Sequence, residues 1–142
     1  MSTPSLAVPP ALSGTRAGAD YLRSALRVDG WSTGGFGVVM LAGAVALRDP
    51  LGLPTTWSIP FGIAMLGGAL ALLLIAGYPD ISPRQATAVV TVNALSAVGM
   101  VALTFSGLID LTRLGVAFML IGATVVAVFA CLEYTGLRRV GR

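Results

Sequence analysis

The chain has no histidine, no lysine, a single cysteine and only 11% charged residues. Each scarcity excludes something. Without histidine, the commonest general base, the usual haem ligand and the most frequent protein metal ligand are all missing. Cys131 has no partner for an internal disulfide, and its place in an apolar run reads as small core packing. The nine basic residues are all arginine and lie scattered along the chain, so the net charge of +3 builds no clustered basic face. Nucleic acid needs such a face, and no nucleic-acid partner is expected. Nor is there a phosphate-binding glycine loop, a dinucleotide fingerprint, a nucleophile elbow or a metal-ligand spacing. No metal or cofactor is expected, and nothing marks an enzyme.

What remains is apolar. Hydrophobic residues make up 56% of the chain and glycines number 18. A soluble domain this apolar could not cover its own surface, and glycine is commoner in membrane helices than in soluble ones. The lipid bilayer is therefore the expected solvent. Four apolar runs, residues 30–47, 57–78, 86–107 and 114–132, carry no charge in their interiors. Each is close to the roughly 17–25 residues that cross a hydrocarbon core, and in lipid such a run must be helical to satisfy its own backbone. Short connections join them, so sequential neighbours are expected to pack antiparallel. The fold class predicted is all-α, a four-helix transmembrane bundle running up-down-up-down. Pro60, near the start of the second run, is tolerated there because a first-turn N–H has no partner to lose.

Residues 1–15, rich in proline and small side chains, read as a disordered tail preceding a membrane domain over 16–142. Between tail and first run, Arg16, Asp20, Arg23 and Arg27 share one helical face. Two readings fit: a short interfacial helix with its arginines toward anionic headgroups, or a plain extension of the first span. Arg16, Arg23, Arg27, Arg84, Arg138, Arg139 and Arg142 fall on one side of a four-span topology, and only Arg48 and Arg113 on the other. That bias puts both termini in the cytoplasm of a multi-pass cell-membrane protein. Trp31, Trp57, Tyr78 and Tyr134 sit at span edges, where aromatic anchors belong.

Small residues recur at helical spacing: Gly30 and Gly34, Ala42 and Ala46, Gly67 and Ala71, and the Ala123, Ala127 and Cys131 stripe. They allow close helix approach, within the chain or in self-association. Asn93 is the most polar residue inside a span and must find partners, either as an interhelical hydrogen bond or as one wall of a substrate or ion site. Asp29 precedes the first span and Glu133 ends the fourth, both on the same side. Carboxylates at the edge of lipid suit proton exchange. Structural uses compete: Asp29 as a helix cap, Glu133 as a partner of Arg138 or of the Arg16–Arg27 stripe.

The segments LRVDGW, STGGFG, GLPTTW, VNALSAVG and LEYTGLRR, spread over about residues 22–139, resemble a group of small, uncharacterised four-span membrane proteins of high-GC Gram-positive bacteria. The GLP of the second connection and the glycine-alanine-leucine run after it are similar to DoxX-like four-helix membrane proteins, and imply a link to a redox system. Small multidrug transporters are similar in size, but they place a glutamate mid-membrane in their first helix, where this chain has none. Three roles follow: an accessory or self-associating membrane module as the leading expectation, a small transporter or channel using Asn93, and a DoxX-like oxidoreductase subunit.

Overall fold

In a computed structural model, residues 10–142 are described, with side chains from Thr15 onward. The described residues form five helices and no strand: α1 (Pro10–Ala42), α2 (Ala44–Leu51), α3 (Thr55–Gly77), α4 (Pro83–Phe105) and α5 (Arg113–Val140). Three of them, α3, α4 and α5, are long and apolar enough to cross a membrane, and α1 with α2 passes the same test as a bent pair. The all-α expectation holds. Part of the expected tail, from Pro10, is helical, and residues 1–9 lie outside the described residues.

The first span is the one drawn differently from the sequence. No break separates the Arg16–Arg27 segment from the first apolar run, so the extension reading stands and the separate interfacial helix does not. Instead the helix bends by 87° at Gly43, well before the expected end at Leu47. A Cβ at Gly43 would stand 2.7 Å from the Val39 carbonyl oxygen, so the bend needs a glycine. The α2 helix then lies across one end of the bundle, against α1, α3 and α5. It stops at Gly52, whose φ of 63° is left-handed, a conformation that glycine adopts without steric cost. Thr112 pins this end: its hydroxyl donates to the Pro50 carbonyl at 2.6 Å and its N–H to the Leu51 carbonyl at 3.1 Å. The same hydroxyl accepts from Gly115 N–H at 3.0 Å and caps α5.

Helix starts follow local chemistry. Ser82 and Gln85 form a reciprocal capping box at the start of α4, with Pro83 in the first turn. Pro60 sits further into α3 than expected, because that helix begins at Thr55; the proline removes the N–H that would have bonded the Thr56 carbonyl.

Packing follows the order α3, α1, α5, α4. Glycines set the crossings. At Gly37 an added Cβ would lie 3.1 Å from the Gly62 carbonyl oxygen, and at Gly136 it would lie 3.0 Å from Leu22 Cβ. These contacts draw α3 and α5 onto α1. As a result α3 and α4, despite the short turn between them, meet at their joined ends and not along their lengths, contrary to the short-loop expectation. Two apolar clusters fill the interior. One, at the end carrying the α3–α4 turn, gathers Leu22, Leu26, Leu72, Ala76 and Ala86; the other, beneath α2, gathers Met40, Leu51, Leu53 and Ile109. Outward faces stay apolar: Ile63, Leu70, Val92, Leu95, Val98 and Ile121 are each at least 60% exposed. That distribution is compatible with a membrane-embedded bundle.

Candidate functional site

Between the two apolar clusters lies one polar centre. Asn93, on α4, donates from Nδ2 to Asp29 Oδ2 at 2.7 Å and to Glu133 Oε2 at 2.9 Å. Thr33, one turn beyond Asp29 on α1, donates to the other Asp29 oxygen at 2.8 Å. The three expected polar residues therefore converge from three helices, on a single amide group. Both carboxylates are removed from solvent, Asp29 at 2% exposure and Glu133 at 0%. Held by one amide nitrogen, the two carboxylates are neighbours. One oxygen, Glu133 Oε1, is buried and accepts nothing from the described residues.

The competing expectations for the two acids fail for a common reason. Helices α1 and α5 run on past the positions where the apolar runs end. Asp29 is consequently inside α1 and not at its N-terminus, and Glu133 is two turns short of the end of α5. Neither is a cap. Glu133 forms no ion pair with Arg138, whose guanidinium lies over the Tyr134 ring, 5.8 Å from its centroid. Arg139 sits over Tyr21 at 4.6 Å. From the amphipathic stripe, Arg23 turns to the C-terminal end of α3 and donates to the carbonyls of Ala76, Tyr78 and Pro79 at 3.1, 2.9 and 2.9 Å. Its ion pair with Asp20 is long, 3.7 Å, and its role is to satisfy the open carbonyls of a helix end. Among the described residues, the ion pairs are Arg23–Asp20 and Arg48–Asp49, so no cation compensates the buried acids.

This arrangement is costly when both acids are charged. Two like charges taken out of water and brought together repel in a medium that screens them poorly, and a bridging amide returns only part of the loss. Such a centre can bind a single positive charge and give it up again. It offers three charge-assisted acceptors already in use and one that is open. No group of three or more metal-binding side chains occurs among the described residues.

The small residues divide. Gly30 packs against Leu72 and Leu73, a Cβ added at Gly34 would lie 3.4 Å from Ala69 Cβ, and Ala123 is buried at 4% exposure. These three serve contacts within the chain. Gly67, Ala71 and Ala127 face outward, with none of the described residues within 4 Å of a Cβ at Gly67. Cys131 is exposed and not part of the core. Sequence reasoning missed Thr33, although its spacing of four from Asp29 on a helix was visible, and missed Arg23 as a helix-end clamp, for which no local signal exists. Gly37, Gly62 and Gly136, which make close helix crossings, were not singled out because none belongs to a GxxxG repeat. Comparison with known proteins adds no identity to this geometry: no family model matches the chain, and no curated protein or solved structure does.

Proposed function

We propose that the protein is a small cell-membrane transporter or channel, with four spans and both termini in the cytoplasm, that moves protons or another monovalent cation through the Asp29–Asn93–Glu133 centre. The observation that carries this reading is the pair of buried carboxylates held by one amide, with no arginine compensating them. A purely structural staple between three helices would be served as well by neutral amides or hydroxyls. Two acids in that position lower stability, and residues that break a packing rule mark function more often than chance.

The seven-to-two arginine bias supports the orientation. Depth follows from it. Glu133 lies twenty residues along α5 from Arg113, roughly 30 Å at 1.5 Å per residue, which is a full hydrocarbon thickness. Trp31 and Tyr134, exposed beside Asp29 and Glu133, mark the same level. The centre thus stands at the cytoplasmic border of the hydrocarbon core, with Leu22, Leu26, Leu72, Ala76 and Ala86 closing it from the cytoplasm. Tests begin with proteoliposomes: flux of protons and of alkali cations under an imposed potential, for the wild type, Glu133→Gln and Asn93→Leu. Both variants are expected to lose at least tenfold in flux, while Thr124→Val, on the exposed side of α5, stays at wild-type rate. A wild type that conducts none of these ions, or a Glu133→Gln variant that conducts as well as the wild type, contradicts the proposal.

A second reading rests on a separate observation. The outward Gly67 and Ala71 leave a flat strip on α3 that a helix of a second copy or of a larger membrane complex fits, as an accessory or self-associating module requires. Gly67→Leu, followed by the oligomeric state in mild detergent, tests it: a self-associating wild type and a dissociated variant support it, and a monomeric wild type does not.

A further inference from the structure

We infer that the ligand of the Asp29–Asn93–Glu133 centre is a single proton shared by the two carboxyl groups, and not a metal cation. This deepens the function proposed above and rests on the same site.

Hydrogen-bond direction makes the case. A hard metal ion gathers several oxygens whose lone pairs point inward, about six to eight for calcium and six for magnesium. Here Asn93 turns its NH2 group, not its carbonyl, toward both acids, and its N–H dipoles occupy the space between them. The Thr33 hydroxyl likewise spends its proton on Asp29 Oδ1. Three of the four carboxylate oxygens therefore already accept hydrogen bonds from neutral donors. Only Glu133 Oε1 is open, and it is buried. One open oxygen gives a metal ion no coordination shell. For a proton it is enough, because a proton binds one oxygen, and the facing acid, held on the same Asn93 nitrogen, is the neighbour that can share it. Loading takes up one proton and changes the pair from two negative charges to one; release reverses this with no other bond made or broken.

The groups facing Glu133 are few. From α1 comes Asp29 and from α4 comes Asn93; α3 packs on α1 and α2 and makes no extended contact with α5. On α5 itself, Arg138 and Arg139 are engaged with Tyr134 and Tyr21. Nothing cationic competes with the proton.

Infrared spectroscopy of the full chain in lipid vesicles tests the assignment, because a protonated carboxyl has a carbonyl stretch that a carboxylate lacks. The wild type at neutral pH is expected to show one such band from a dry environment. Glu133→Gln is expected to abolish it, and so is Asp29→Asn, which keeps the inference testable where one variant does not fold. A sodium or potassium jump at fixed pH should leave the band unchanged, whereas alkali should convert it to a carboxylate band. A wild type with no protonated-carboxyl band at neutral pH, or a band displaced by sodium at fixed pH, overturns the inference. The two proposals fail separately. A band without any ion flux leaves the proton site standing and removes the transporter, and sodium-coupled flux without a band does the reverse.

Discussion

Glu133 Oε1 and Ser58 Oγ are the buried side-chain oxygens with no hydrogen-bond partner among the described residues, and they lie in opposite halves of the molecule. Ser58 sits in the first turn of α3, and its backbone N–H is satisfied by the Pro54 carbonyl at 3.0 Å. Its spare hydroxyl is neutral. Glu133 stands against a second acid and shares its only donor with that acid. The same shortage of partners is therefore a small local cost near α2 and a concentrated electrostatic load at the polar centre. The half beneath α2 is assembled for closure, from apolar packing and a pinned loop. The other half keeps a charge problem at its heart and surrounds it with aliphatic side chains.

Predictions sharpen that contrast in order of size. Removing the bridge is the most damaging change: Asn93→Leu takes two charge-assisted hydrogen bonds from buried acids, and about 3 kcal/mol of stability should go with them. Thermal unfolding in detergent measures this, and a loss below about 1 kcal/mol would show that the acids do not depend on the amide. Next comes Arg23→Met, which frees three carbonyls at the end of α3 and should cost about 2 kcal/mol, with increased proteolysis at the α3–α4 turn as a second readout. Thr112→Val removes the α5 cap and one pin of α2; about 1 kcal/mol is expected, without effect on the polar centre. Smallest is Ser58→Ala, where discarding the unpaired hydroxyl should leave stability unchanged or raise it by up to about 1 kcal/mol. If Ser58→Ala proved as harmful as Asn93→Leu, the contrast between the two halves would be lost.

Much of the site was visible in the chain, and its form was not. Asn93, Asp29 and Glu133 stand out because polar side chains are rare in such apolar surroundings. Hydropathy nevertheless ended the first and last spans next to the acids, as it must, because a charge lowers any window average. The helices themselves continue, since the backbone is indifferent to a carboxylate that is hydrogen-bonded elsewhere. Whether the three residues meet depends on helix rotation and crossing, which isolated close approaches such as Gly37 on Gly62 decide. A repeat-based reading of small residues left contacts within the chain and self-association open alike for every pair, whereas Gly30 and Gly34 pack within the chain and Gly67 and Ala71 face outward. Local chemistry is encoded locally: the S-P-R-Q capping box opening α4 lies in four adjacent residues, although sequence reasoning did not single it out. The 87° bend at Gly43 was not, because an apolar run looks the same whether it crosses the bilayer straight or turns along its surface.

Above all, the buried acid pair is kept at a cost to stability. The most direct test is the thermal stability of Glu133→Gln against the wild type, in one detergent at alkaline pH, where the pair has released its shared proton and both acids are charged. Glutamine keeps the shape and the hydrogen bond to Asn93 while removing one of two opposed charges, so the variant should be more stable by about 1 kcal/mol. A variant destabilised as much as Asn93→Leu would mean that the acid holds the fold together, and a costly, functional charge pair would be the wrong description of this centre.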